Sequence, residues 1–248
     1  MLKKCSVVAA LVLSSTIASA AEVKVLSAGA VEPGLHAFAE LVKRETGHDL
    51  KIQCSTTPQI AKRLAAGEVY DVLTAPAAAI DNAAKDGKVI ADTRAPVGRV
   101  GAGVIVRANA PVPGVGTRDE LKNALLKADT VVYNTASTGL YLDKLFGKMG
   151  ILESIKPKTT RYPDGASVME HVIRSKGNEI GFGAITEIKM YEPKGVKLVG
   201  PLPAEVQNYT SYQAAVMTGS KAQDAARAVL QRIASPAGKA AFAGGGVE

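Results

Sequence analysis

The chain has 248 residues and a formal net charge of +7, with four Phe, seven Tyr, no Trp and two Cys. Its basic residues are not clustered or interleaved with aromatics, which argues against a nucleic-acid surface. A mild positive excess is compatible with an anionic ligand without demonstrating one.

The first stretch, MLKKCSVVAALVLSSTIASA, carries Lys3 and Lys4, an apolar core from Val7 to Leu13, and small residues at Ala18-Ser19-Ala20. This is the pattern of a secretory signal over residues 1–20, with the mature chain starting at Ala21 or Glu22. No later apolar run is long enough to span a bilayer, so the expectation is an exported protein, periplasmic in a Gram-negative cell. Without Lys3 and Lys4, 28 basic residues face 23 acidic ones, leaving +5. Cys5 leaves with the signal, and Cys54 alone cannot form an internal disulfide. Its apolar-alternating surroundings suit a small buried hydrophobe better than a nucleophile.

In chain order, Val23–Leu26 reads as a strand, followed by a helix from Gly34 to Thr46 with Leu35, Phe38, Ala39, Leu41 and Val42 at helical spacing. Leu50–Cys54 is a second strand, and Ser55-Thr56-Thr57-Pro58 opens a helix closing at Gly67. Asp71–Thr74 is a third strand, with a helix over Ala77–Lys85. This alternation builds a parallel sheet covered by helices. The glycine-punctuated β-rich run Val97–Val106 suits a strand crossing between lobes. A second set follows: helix Arg118–Leu126 opened by Thr117, strand Asp129–Tyr133, helix Leu140–Met149, strand Lys158–Tyr162, helix Val168–Ser175 and strand Glu179–Ala184. The chain finishes with β-type runs at Val196–Gly200 and Tyr209–Thr218, a helix over Lys221–Ala234, and a short helix from Pro236 to Phe242.

Four small-residue turns share one design. Ser27 to Leu35 (SAGAVEPGL), Cys54–Thr57, Thr135–Gly139 and Asp164–Ser167 each follow a strand and open a helix. Orphan N–H groups and the helix dipole favour negative charge at such starts. One such turn is ordinary capping. Four at strand C-terminal ends match the crevice where open α/β sheets bind ligands. Glu32 sits at the mouth of the first turn. It serves either the first turn of its own helix or the chemistry of the crevice.

The segments VLSAGAVEPGL, STTPQIAKRLAAGEVYDVLTAP, STGLYLDKLFGKMGI and NEIGFGAITEI resemble the periplasmic solute-binding proteins of ABC importers. The resemblance is to the molybdate/tungstate-binding branch of the two-lobed type II group and covers Val23 to about Phe242. It implies an α/β fold of two lobes, each a mostly parallel sheet flanked by helices, with two crossing hinge segments near Arg99–Val104 and Gln207–Tyr212. Lobe 1 would hold residues 22–98 and 208–248, and lobe 2 residues 99–207. It also implies a monomer and an ABC permease as partner. The family's hydroxyl ligands fall at Ala30, which has none, and at Thr57, which keeps one. Its backbone contacts fall at Thr138 and Ala166, and its tyrosine ligand falls at Ala184. With two donors missing and Glu32 nearby, a bare oxyanion loses support. A larger organic carboxylate is the expected ligand. Arg99 is a candidate carboxylate fork, Tyr209 and Tyr212 are candidate hydroxyl donors, and all three also read as structural residues.

Members resembling this branch include a periplasmic aconitate isomerase, which gives the alternative function: a 1,3-proton shift between trans- and cis-aconitate. Such chemistry needs carboxylate clamps and one general base, with no metal and no cofactor. Glu32 is the expected base, with Arg99, Thr57 and Thr138 holding the substrate and His36 a weaker candidate. His36, His48 and His171 lack metal-ligand spacing. GxSxG and GxxxxGK motifs are absent from the sequence.

Overall fold

The computed structural model describes residues 20–248, so the leader expected over residues 1–20 lies outside the described residues apart from Ala20. The elements are β1 (Glu22–Ala28), α1 (Glu32–Thr46), β2 (Asp49–Ser55), α2 (Thr57–Ala65), β3 (Val72–Pro76), α3 (Ala77–Lys85) and β4 (Ala95–Arg107). There follow α4 (Arg118–Lys127), β5 (Thr130–Asn134), α5 (Ser137–Lys148), α6 (Leu152–Ile155), β6 (Thr159–Tyr162), α7 (Gly165–Arg174) and β7 (Glu179–Ala184). The last are α8 (Ile185–Tyr191), β8 (Val196–Pro201), β9 (Tyr209–Val216), α9 (Gln223–Ala234) and α10 (Pro236–Gly244).

The strands run in the order β2-β1-β3-β9-β4-β7-β5-β6, with β8 also on β4. In lobe 1, β2, β1 and β3 are parallel, and β9 returns antiparallel to β3. In lobe 2, β6, β5 and β7 are parallel, and β4 is antiparallel to β7. The long strand β4 belongs to both. Ala95–Gly101 pairs with β9, whereas Ala102–Ile105 pairs with β7. The chain crosses once along this strand and returns between β8 and β9. The fold class expected from the resemblance is therefore what the structure has: two α/β lobes of mostly parallel strands with two crossings.

Each lobe buries its own apolar face. Leu26, Leu35, Phe38, Ile60, Leu73 and Phe242 lie in the lobe 1 core, where the Phe38 and Phe242 rings stack at 5.3 Å. Lobe 2 has apolar clusters on both faces of its sheet, around Tyr133, Phe146 and Phe182 and around Val168, Met169 and Ile188. Capping fixes the helix starts. The Thr117 hydroxyl accepts from the Glu120 amide at 3.2 Å while the Glu120 carboxylate accepts from the Thr117 amide at 3.1 Å.

Helices α5, α6, α7 and α8 depart from the sequence expectation, the four-residue α6 lying where no element is expected. Helix α5 begins at Ser137 rather than Leu140, and α7 at Gly165 rather than Val168, so the small residues lie inside the first turns. Helix α8 was not expected. It follows β7 without a loop and is only seven residues long. Among the described residues, no helix is long and apolar enough to cross a membrane.

Candidate functional site

The β1, β2, β5 and β7 ends and the turn after β6 face one cavity of about 240 Å³. Lobe 1 contributes Ala28–Ala30, Glu32, Cys54–Thr57, Gln59 and Tyr212, and lobe 2 contributes Asn134, Ala136–Thr138, Asp164–Ala166, Ala184 and Glu187. The starts of α1, α2, α5 and α7 converge here. Their first N–H groups, including those of Thr57, Ser137, Thr138, Gly165 and Ala166, lack intrahelical acceptors and are available to an anion.

The α5 start is rigidly held. The Asn134 side-chain oxygen accepts from the Ala136 amide at 3.0 Å and from the Gly139 amide at 3.1 Å. A Cβ at Gly139 would overlap the Asn134 carbonyl oxygen. That carbonyl accepts from Arg161 Nε and Nη2, and Arg161 in turn holds Asp143 at 2.9 and 3.0 Å. At α7, Asp164 caps the helix by accepting from the Ser167 amide at 2.8 Å. At α2, the Thr56 amide donates to the Gln59 side chain at 3.0 Å.

Two contacts join the lobes beside the cavity. The Thr57 and Ser137 hydroxyls lie 3.3 Å apart, and the Thr186 hydroxyl donates to the Ala30 carbonyl at 2.5 Å.

Three carboxylates reach the cavity. Glu32 occupies the first turn of α1 with its side chain 33% exposed, 3.5 Å from His36 Nε2. Asp164 is the α7 cap. Glu187 projects from the first turn of α8 between the backbones of Gly29 and Gly165, where a side chain at Gly165 would overlap it. Burial first, then the charges of Glu32 and Asp164, push the Glu187 carboxyl up to about 7, with the Ala184 amide opposing the rise. Burial, followed by the Glu32 charge, pushes the Cys54 thiol up to about 12. That direction is opposite to the lowered value of a reactive cysteine. Burial, then Glu187, also raises the Tyr212 phenol. Among the described residues, no Lys, Arg or His lines the cavity, and no group of three or more His, Cys, Asp or Glu is placed to hold a metal.

Of the residues singled out in the sequence, Ala30, Glu32, Thr57, Thr138, Ala166 and Tyr212 line this cavity, and so does Ala184. Arg99 and Tyr209 do not. Arg99 pairs with Glu248 at 3.1 Å, and its guanidinium stacks 4.1 Å above the Tyr209 ring. Both side chains are exposed on the crossing strands, because β4–β9 pairing turns them outward while Tyr212, three residues on, turns in. Glu187 was missed. Its signal was an acidic residue three places after the β7 end, within NEIGFGAITEI, the position of a helix-start acid.

A two-lobed α/β fold whose helix starts close on a cavity between the lobes defines a solute-binding class of protein. The chain belongs to the bacterial extracellular solute-binding protein family, whose model matches residues 23–248. It is 33% identical over 236 residues to an aconitate isomerase from Pseudomonas sp., covering 91% of this chain and 88% of that one. Among solved structures, the periplasmic molybdate-binding protein of Azotobacter vinelandii is similar with a TM-score of 0.76 at 16% identity, covering 91% of this chain and 98% of that one. The sulfate-binding protein of Mycobacterium tuberculosis gives 0.74 at 16% identity, covering 92% and 86%. At that identity the two structures show the shared fold.

Proposed function

We propose that this protein is a periplasmic isomerase built on a solute-binding fold, acting on an unsaturated tricarboxylate by a 1,3-proton shift between trans- and cis-aconitate. The observation that carries the reading is Glu32, which shares the cavity with helix starts, hydroxyls and two other acids, Asp164 and Glu187. The similarity to an aconitate isomerase over most of the chain supports the same substrate class.

In this reading, the N–H groups at the starts of α2, α5 and α7 and the hydroxyls of Thr57, Ser137 and Thr138 hold the substrate carboxylates. Glu32 takes a proton from the methylene carbon. The released electron pair forms the new double bond, and the old one becomes a carbanion conjugated with its carboxylate. Helix-start amides facing that carboxylate stabilise the charge as it develops. Return of a proton to the former vinyl carbon completes the shift, so no redox partner is needed. The small side chains at Ala30 and Ala184 leave room for a carbon skeleton.

Incubating purified protein with trans-aconitate and following cis-aconitate by NMR tests the activity. Glu32→Gln is expected to lower kcat about 10²–10⁴-fold, the usual worth of a general base, while tricarballylate still raises the melting temperature. Undiminished turnover in that variant would remove Glu32 from its role.

The lobe-to-lobe contacts at Thr57–Ser137 and Thr186–Ala30 favour a second reading, a binding protein that delivers an anion to an ABC permease. Tight binding of an organic carboxylate without turnover would select it. Stabilisation by molybdate alone would defeat both readings of the ligand.

A further inference from the structure

We propose that Glu187 binds the ligand as a neutral acid, donating a hydrogen bond to an anionic carboxylate in the cavity, so that above neutral pH each anion enters together with a proton. This rests on the reading that the cavity takes a small organic anion and is independent of whether that anion is isomerised.

The geometry supplies the argument. Glu187 lies on the cavity wall with its carboxylate packed against Gly29 and Gly165, so closely that a side chain at Gly165 would overlap it. The titratable groups facing it are Glu32 from α1, Asp164 at the start of α7, Cys54 from β2, Tyr212 from β9 and Tyr191 one turn on in α8, whose phenol is raised by burial and by nearby carboxylates. Glu32 and Asp164 supply negative charge, Cys54 and Tyr212 stay neutral, and no cation among the described lining residues offsets them. A carboxylate so placed already holds its proton up to about 7 with the cavity unfilled. Bringing a further anion beside it favours the protonated form still more. The ionised carboxylate has no proton to offer and would repel the guest. The neutral acid presents an O–H to the guest's oxygen, a charge-assisted hydrogen bond of the strong kind. Buried acids kept neutral for such donation are a known device.

The proton comes from solvent or buffer, and no bond to carbon changes. Below about pH 7 the free site is already loaded. Above it, each unit of pH removes tenfold of the loaded form, so affinity falls tenfold per unit until the complex itself loses the proton. The class of ligand selected is an anion offering a carboxylate oxygen. A ligand bearing an ammonium group would pair with the ionised carboxylate and bind more tightly as pH rises.

Isothermal titration of tricarballylate and trans-aconitate, from pH 6.5 to 9 in two buffers of different ionisation heat, counts the protons directly. The expected result is close to one proton taken up per ligand at pH 8 and about a tenfold rise in Kd between pH 7.5 and 8.5. Glu187→Gln, checked for folding by circular dichroism, should take up none, keep an affinity independent of pH within about threefold, and bind more tightly than the parent at pH 8.5. The wild-type proton count decides the matter even where the variant folds poorly. Zero uptake, an equal pH slope in the variant, affinity that rises with pH, or no carboxylate binding at any pH would overturn the proposal. Proton-linked binding without turnover would leave it standing and remove the isomerisation.

Discussion

The lobe 1 wall of the cavity, Ala28–Glu32 and Cys54–Gln59, rests on a few partly exposed contacts, with Glu32 open enough to meet His36. The lobe 2 wall is set in a connected frame. Asn134 fixes the α5 turn, Arg161 and Asp143 brace Asn134, and Tyr133 lies under Arg161 at 4.2 Å while donating to Asp143 at 2.9 Å. The site thus sets a preorganised surface against a more adaptable one. Buried networks of this kind rigidify when every member is satisfied. The raised carboxyl, Glu187, also sits on the lobe 2 side.

The largest expected effect strikes that frame. Gly139→Ala drives a methyl group into the Asn134 carbonyl, a backbone atom that cannot swing away, and should destabilise the protein by about 3 kcal/mol or more. Gly147→Ala is its control on the same helix, because nothing lies within 4 Å of a Cβ there. Replacing that exposed helical glycine should stabilise by about 0.5–1 kcal/mol. Urea unfolding reads both. Equal, small changes would erase the contrast between the two walls.

Glu187→Gln comes next, and its sign depends on pH. The folded-state value of about 7 exceeds the ordinary 4.5, so between these values the folded protein binds more protons than the unfolded chain. Stability is therefore whole below about pH 4.5, falls as pH rises through that window, and stays reduced above about 7. The loss amounts to as much as about 3 kcal/mol. The variant should be more stable than the parent at pH 8, with the advantage vanishing by pH 4.5, as read from thermal unfolding across pH.

Thr57→Val probes the adaptable wall. It removes a hydroxyl facing Ser137 and the cavity, and should weaken anion binding about three- to tenfold, the worth of one ordinary hydrogen bond. Stability should move by less than about 0.5 kcal/mol. A large stability loss would mean that the lobe 1 wall is as rigid as its partner.

Much of this arrangement is legible in the residues. Alternating strand and helix patterns give the two lobes. Small residues after strand ends mark the helix starts that do converge, as Ala30, Thr57, Thr138 and Ala166 show. Local pattern failed where direction or short length decides. Helix α8 carries Thr186 and Glu187, yet with no loop before it and too few residues for a helical period, nothing in the local pattern assigns an element after Ala184. Gly139 read as part of a turn because its role, clearance of the Asn134 carbonyl, is tertiary. The outward direction of Arg99 depends on pairing with β9 and on Glu248, 149 residues away, which no local window contains.

The choice between the two readings of Arg99 yields the smallest effect and a sharp measurement. A buried arginine clamping a substrate carboxylate would, on removal, cost 2–5 kcal/mol or about 30- to several-thousand-fold in affinity. The structure instead gives Arg99 an exposed ion pair with Glu248 and a stack on Tyr209. An exposed pair contributes about 0–1 kcal/mol and an exposed cation–π contact about 0.5–1 kcal/mol. Arg99→Ala should thus lower stability by about 1 kcal/mol, less in high salt because the pair is screened, and leave the Kd for tricarballylate within about twofold. Calorimetry separates the alternatives without ambiguity. A hundredfold loss of affinity would bring Arg99 back into the cavity on ligand binding, and the crossing strands would then have to rotate that side chain away from Glu248.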